Sequence, residues 1–266
     1  GVQTCALPIY NTQFGRHGWL RLTPAYSVKL VRELIKKDCN TNSVILDPFS
    51  GTATTGLVAA ELGFKAFLFD INPFLIWLGN TKCYNFSAER LDSLNNEFQV
   101  CINNIIVSDS FWNPPIHNIE RWWHPETLII LSSIRKNLVE HFGEPNNEIY
   151  SNLVWIAFLR LIIETSSAAF NHVSMSFKEE SIQYGYSQIK TLFETIFSHI
   201  INSARQPIEG DAIVLKGDSR DLSSFEKSHF DTVITSPPYP NRISYIRELR
   251  PYMYWSKFLH NGSDAG

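Results

Sequence analysis

Four places in this 266-residue chain gather residue types that could do chemistry. Asp47-Pro48-Phe49-Ser50-Gly51-Thr52 closes one apolar run and Asp70 closes a second. Gly217-Asp218-Ser219-Arg220 closes a third, and Ser236-Pro237-Pro238-Tyr239 closes a fourth. A turn at Gly51 lets backbone N–H groups approach a ligand closely. The helix expected after it favours a carboxylate or phosphate at its N-terminus. Asp70 lies 19 residues beyond Gly51. Dinucleotide folds place an acid there to accept hydrogen bonds from vicinal ribose hydroxyls. Ser236 Oγ and the Pro237 carbonyl are two acceptors on a turn stiffened by two prolines, so they are pre-positioned. Tyr239 adds an aromatic face on which a planar group can stack. Each residue also has a plainer reading. Asp and Ser routinely cap helices, Asp218 suits a turn, and Ser-Pro-Pro-Tyr suits a rigid loop or a polyproline-type ligand. Its position directly after a strand argues against that last reading.

The elements that must position these residues follow from the apolar pattern. Short buried runs at 43–46, 66–69, 212–216 and 231–235 predict strands. Small residues at helical spacing over 54–62, stopped by Gly63, predict a helix between the first two strands. This strand–turn–helix–strand order is the pattern of a parallel α/β sheet. In such sheets ligands bind outside the carboxyl ends of the strands, at a topological switch point. From 87 to 205 the pattern turns helical. Apolar residues recur at three-to-four spacing over 90–107, 126–142, 148–170 and 181–204, with Pro/Gly/Asn breakers between. This reads as a helical insertion, either a recognition subdomain or a plain cap over the sheet. The expected organisation is 10–86 with 206–266 as the α/β domain and 87–205 as the insertion.

The residues at the strand ends carry a specific resemblance. Asp47 to Thr55 resembles the D-P-F-x-G-x-G-T-T segment of amino-group DNA methyltransferases, and Thr235-Ser236-Pro237-Pro238-Tyr239 resembles their catalytic S/D/N-P-P-Y segment. The likeness covers residues 17–80 and 210–258. The helical middle is only loosely similar to one branch of bacterial modification methylases. The resemblance implies an α/β fold with a Rossmann-like class I methyltransferase sheet, incomplete at the C-terminus, carrying a large helical insertion. It implies S-adenosylmethionine (AdoMet) as cofactor. Asp47, Pro48, Phe49, Gly51 and Thr52 would lie at its methionine part, Asp70 toward the ribose, and Asp218 and Ser219 toward the adenine, with Asn72 among the cofactor-binding residues. Thr23 and Pro24 resemble the family's tenth motif, beside the methionine end, and a helix cap is the plainer alternative for them. Ala53 replaces the family's second Gly, so a positive φ there would be strained. A P-loop is excluded, since Leu57-Val58 stands where Lys-Ser/Thr is required.

The implied reaction moves a methyl group from AdoMet to the exocyclic amine of a base in DNA, taken out of the duplex. Acceptors aimed at both N–H bonds would free the conjugated lone pair. Ser236, Pro237, Pro238 and Tyr239 are the implied catalytic residues. Ser at 236 leans toward cytosine-N4 by family tendency. Adenine-N6, or an amine in RNA or tRNA, is the alternative, and an AdoMet- or DNA-binding fragment without turnover is the non-enzyme reading. Carbon-5 methylation is set aside because no cysteine follows a proline. No metal is implied.

Composition bounds the rest. Apolar residues are 44% and charged residues 18%, a globular balance with material for a core. The net charge of −3 does not indicate a generally basic nucleic-acid binder. Arg242, Arg247, Arg250 and Lys257 against Glu248 leave a local surplus, suited to phosphates or to a solvated helix face. Trp112, Trp122 and Trp123 are expected to serve the insertion's core. No run reaches the ~18 apolar residues of a membrane span. Four scattered cysteines suggest neither zinc nor disulfides, and a cytoplasmic setting is expected. DNA is the expected partner, a cognate restriction endonuclease is another that the resemblance would bring, and oligomeric state stays open. Residues 1–9 resemble a translated adapter read, and the chain is expected to be a fragment open at both ends. Only 27 residues follow Tyr239, so weak activity and an exposed sheet edge are expected.

Overall fold

The computed structural model describes residues 15–20, 22, 27–109, 112–145, 148–169, 176–178, 181–223, 229–238 and 246–261. The chain divides into two compact units, Gly1–Phe86 with Gln206–Tyr245, and Ser87–Arg205 with Ile246–Gly266.

The first unit is α/β. Its elements are α1 (Val28–Asp38), β1 (Val44–Asp47), α2 (Thr54–Glu61), β2 (Lys65–Asp70) and α3 (Pro73–Cys83), then β5 (Asp211–Lys216) and β6 (Thr232–Val233) after the helical unit. The strands form one sheet in the order β5-β2-β1-β6. All three pairings are parallel: Asp47 lies opposite Leu68, Leu46 opposite Val233, and Asp70 opposite Lys216. The order reverses between β1 and β6, the switch point at which open α/β sheets bind ligands.

Alternation along the strands decides the faces. Ile45, Ala66, Leu68, Ala212, Val214 and Ile234 form one core cluster with Val28, Val31 and Ile35 of α1 and Leu57 and Val58 of α2. Helix α2 lies close to β2, because a Cβ on Gly56 would come within 2.5 Å of Leu68 Cδ1. The opposite face is less covered. Phe67 is held edge-on by His229 and Phe230, while Ile213 and Val233 remain exposed. Among the described residues no strand pairs beyond β6.

The second unit is helical, with α4 (Ala88–Asn103), α5 (Pro125–Phe142), α6 (Ser151–Glu164), α7 (Tyr186–Ala204) and α8 (Ile246–Trp255). A two-stranded antiparallel pair, β3 (Ala168–Ala169) and β4 (Ser176–Phe177), lies between α6 and α7. Helix α6 is apolar nearly all round, and every residue from Ser151 to Leu159 is buried, as expected of a central helix. Around it Phe158 meets Trp155, Phe193 and Trp255 edge-on, and Phe98 stacks on Phe197.

Several boundaries differ from the sequence expectation, each for a local reason. The helix expected over 148–170 ends at Glu164. There Thr165 Oγ1 and Ser166 Oγ donate back to the carbonyls of Leu161 and Ile163, which competes with helix continuation. The helix expected over 181–204 starts at Tyr186, after Gly185 at its N-cap. Residues 246–261, expected with the sheet, pack with the helices through Leu249, Tyr252, Met253 and Trp255. Trp122 and Trp123 are buried in this unit, while Trp112 is 39% exposed. No described helix is long and apolar enough to cross a membrane.

Candidate functional site

The site is assembled at the carboxyl ends of the strands. Strand β1 ends on Asp47, which is fully buried. A buried carboxylate must have its lone pairs filled. Asp47 Oδ1 accepts from the Phe49 N–H at 3.1 Å and from Thr235 Oγ1 at 2.7 Å. Its Oδ2 accepts from Thr55 Oγ1 at 2.6 Å. One side chain thus ties the Pro-Phe-Ser-Gly bend, the start of α2 and the segment after β6. The Ile234 N–H, donating to the Leu46 carbonyl at 3.0 Å, reinforces the junction. Two motifs 188 residues apart in sequence are thereby neighbours in space.

The bend itself is tightly determined. The Ser50 N–H donates to the Phe69 carbonyl, and the Gly51 N–H donates to Asp70 Oδ2 at 3.0 Å. Gly51 has φ of +51°, and a Cβ there would meet nothing nearer than the Phe49 carbonyl at 3.9 Å. Backbone conformation, not crowding, requires glycine here. Ala53 sits in the left-handed region at φ 61°, the strained case the sequence anticipates. Its methyl group is accommodated because residue 79 on α3 is Gly, where a Cβ would lie 3.0 Å from Ala53 Cβ. Pro48 and Phe49 are half-buried and Thr52 is buried. Ser50 is 3% exposed, and its Oγ has no hydrogen-bond partner among the described residues.

Asp70 ends β2. Its Oδ1 accepts from the Asn72 N–H at 2.8 Å, and its Oδ2 takes the Gly51 amide. Burial pushes this carboxyl above its ordinary value; the backbone donors pull the other way and are outweighed. Asn72 caps α3 by accepting from the Phe74 N–H at 2.9 Å. Between them Ile71 is 70% exposed, an apolar side chain beside an acid at the mouth of the sheet. Strand identity alone could not reveal it, because an Ile after a strand reads as core.

At the end of β5, Gly217 donates to the Asp70 carbonyl. Asp218 accepts from the Arg220 N–H at 2.9 Å and from its guanidinium, which holds the carboxyl down to about 2. The Asp221 N–H donates to the Asp218 carbonyl, so this segment is a turn as well as a candidate contact. Ser219 is half-buried. Ser236, Pro237 and Pro238 follow Thr235 as exposed, irregular backbone. Tyr239, Thr23 and Pro24 lie outside the described residues.

A buried cation lies behind the bend and was not singled out from sequence. Lys82 of α3 is 2% exposed, and its Nζ donates to the Thr52 carbonyl at 3.1 Å. Arg16, in a 3-10 turn at Gly15–Gly18, donates to the carbonyls of Lys82, Tyr84 and Gln206. In sequence Lys82 looks like a cation favoured at a helix C-terminus. Its burial is set by tertiary packing.

Two clefts lie elsewhere. One of about 460 Å³ is in the helical unit, lined by Trp112, Arg135, Lys136, Glu144 and Lys257. One of about 240 Å³ is at the amino ends of β1 and β6, lined by Asn40, Thr41, Asn42, Ser43 and Asp231. The convergence of Gly51, Asp70 and the Asp47–Thr235 junction marks the strand ends as the candidate site. In the first cleft Lys257 is paired with Glu144 at 2.8 Å, and Arg250 is exposed.

Residues 11–80 match the N6/N4 DNA methylase family. The type II methyltransferase M.BsoBI of Geobacillus stearothermophilus is 23% identical over 270 residues, spanning 87% of this chain and 50% of that protein. The type II methyltransferase M.MjaII of Methanocaldococcus jannaschii is 29% identical over 66 residues, 25% of this chain and 12% of that protein. The chain thus spans at most about half the length of these curated relatives. No solved structure matches it. The similarity is to amino-group DNA methyltransferases, and the parallel α/β sheet is consistent with their Rossmann-like fold.

Proposed function

We propose that this chain carries the cofactor and catalytic face of an AdoMet-dependent methyltransferase that modifies the exocyclic amine of a base in DNA. The Asp47–Thr235 bond carries the reading, because it sets the glycine bend beside the Ser236-Pro237-Pro238 corner. The residues present fit the cofactor. Gly51 has a positive φ and leaves room for a ligand, Ser50 Oγ is a buried hydroxyl without a partner among the described residues, and Asp70 presents a carboxylate next to exposed Ile71. Asp70 would accept the ribose hydroxyls, and Ile71 would lie against the adenine. Bound AdoMet would supply an electrophilic methyl group on a sulfonium.

The chain's own residues then act on the acceptor. Ser236 Oγ and the Pro237 carbonyl accept from the two N–H bonds of the target amine and free its lone pair. The prolines hold these acceptors in place before the amine arrives, so little reorganisation accompanies transfer. Asp47 acts indirectly: its carboxylate is spent on the bend and on Thr235, making it a positioning residue. Thr52 and Pro48 shape the bend, Asn72 fixes the start of α3, and Asp218 and Ser219 bound the adenine side. Serine at position 236 favours cytosine-N4 over adenine-N6.

Incubation with tritiated AdoMet and duplex DNA, duplex RNA or tRNA, followed by nucleoside mass analysis, tests this. Expected is N4-methylcytosine in DNA, lost in Ser236→Ala with AdoMet binding retained. Methyl groups only in RNA would overturn the DNA reading, and N6-methyladenine would overturn the choice of base.

A further inference from the structure

Lys82 is a buried charge that the proposed reaction leaves unused. Its ammonium sits on the last turn of α3, and its one described hydrogen bond goes to the Thr52 carbonyl, inside the bend between Gly51 and Ala53. Among the described residues no carboxylate forms an ion pair with it. A desolvated ammonium with one neutral acceptor is costly unless something offsets it. Thr52 is itself constrained, its Oγ1 lying 3.1 Å from Thr54 Oγ1. The charge therefore sits directly beneath the backbone that would hold the cofactor's amino-acid end.

We propose that Lys82 is a positioning residue for AdoMet: its ammonium fixes the Thr52 carbonyl, and hence the glycine bend, and supplies the positive charge that favours a ligand bearing a carboxylate. This rests on the reading of the bend as the cofactor loop. Of the titratable groups nearby, Cys83 of α3 and His17 of the 3-10 turn interact with the lysine directly. Arg16, Arg32 of α1, Glu61 of α2 and Asp211 of β5 act on those two groups. Burial holds His17 below its ordinary value and Arg16 to about 10, and pushes Cys83 up to about 12. Burial brings Lys82 down to about 8, so its charge is lost within a pH range where the protein can be assayed.

The test is calorimetric binding of AdoMet to the full chain between pH 7 and 9, with decarboxylated AdoMet as the probe lacking the carboxylate. For the unmodified chain, affinity for AdoMet should fall on the order of tenfold more over this range than for Lys82→Met. At pH 7 the variant should bind AdoMet about tenfold more weakly, the loss of one charge-assisted interaction. The comparison between proteins cancels the titration of the ligand's own amine. Decarboxylated AdoMet should bind both proteins with the same pH profile. Lys82→Arg should keep pH 7 affinity and lose the added fall. Near pH 8.5 AdoMet binding should take up more protons in the unmodified chain than in Lys82→Arg, a conservative variant in which the ligand's own amine contributes equally. Parallel AdoMet profiles for the unmodified chain and Lys82→Met, or equal proton uptake on AdoMet binding by the unmodified chain and Lys82→Arg, would overturn the assignment. No AdoMet binding by the unmodified chain at any pH would instead overturn the cofactor reading together with it.

Discussion

Lys82 in the sheet unit and Arg135 in the helical unit are both buried cations, and they are treated in opposite ways. Arg135 donates through Nε to the Trp255 carbonyl and through Nη2 to Glu144, and its guanidinium lies 4.4 Å from the Trp112 ring centre and 5.5 Å from that of Trp155. Its charge and donors are engaged within its own unit. Lys82 has a backbone carbonyl. A cation with a carboxylate partner and aromatic faces is an element of architecture, whereas a cation short of an anion is a demand on a ligand. Burial alone does not separate the two; the list of partners does.

The largest effect expected is on the Asp47 junction. Asp47→Ala removes the acceptor for the half-buried Phe49 N–H and Thr235 hydroxyl and the shorter of two acceptors for Thr55 Oγ1, which keeps the Ile234 carbonyl at 3.4 Å. At about 1–3 kcal/mol for each group left unsatisfied, a loss of roughly 3–5 kcal/mol is expected in urea unfolding, together with loss of AdoMet binding. A loss below about 1 kcal/mol would show that the junction is not closed by this carboxylate.

The two cations then give opposite signs. Arg135→Met should destabilise by about 2–3 kcal/mol, somewhat less than a fully buried pair because Glu144 is partly exposed and keeps Lys257. AdoMet affinity should not change. Lys82→Met should instead raise stability at pH 7 by up to about 3 kcal/mol, as the ammonium's value falls from 10.5 to about 8 on folding. The sign follows from linkage. Between about pH 8 and the unfolded value the unfolded chain binds the extra proton, so stability of the unmodified protein rises with pH across that window. The variant's advantage should therefore shrink above pH 8 and vanish beyond about 10.5. Thermal melts at pH 7, 9 and 10.5 measure this, and destabilisation at pH 7 would remove the contrast with Arg135.

The smallest effect concerns backbone strain. Ala53→Gly should stabilise by about 1 kcal/mol or less, since relief of the positive φ is offset by a more flexible unfolded chain and a small void beside Gly79. A drop in melting temperature would mean that contact of the Ala53 methyl with α3 outweighs the strain.

Much of the sheet unit was legible because its chemistry is local in sequence. Asp47 to Thr55 encodes strand end, bend and helix start in nine consecutive residues, and the missing glycine at 53 marks the position where the structure holds a left-handed alanine. What sequence hid is long-range. Asp47 reads as a ligand contact, yet its carboxylate is occupied by Thr55 and Thr235. Asn72 reads the same way, and its side chain caps α3. Lys82 and Arg16 look like surface charges because nothing nearby in sequence announces their burial. In the helical unit periodicity gave the long helices. It missed the stop after Glu164, where hydroxyls rather than Gly or Pro end the helix, and it left the last helix with the sheet.

The separation of the two partners of Asp47 has a consequence in time. Thr55 emerges from the ribosome almost together with the carboxylate it serves, whereas Thr235 is 188 residues later. At about 5–20 residues per second that interval is roughly 10–40 s. Throughout it the carboxylate lacks one of its two hydroxyl donors and β1 lacks a neighbour on one edge. A nascent chain can thus fold its first crossover early, but the corner that would handle a nucleobase is completed only after residues 87–205 have been made.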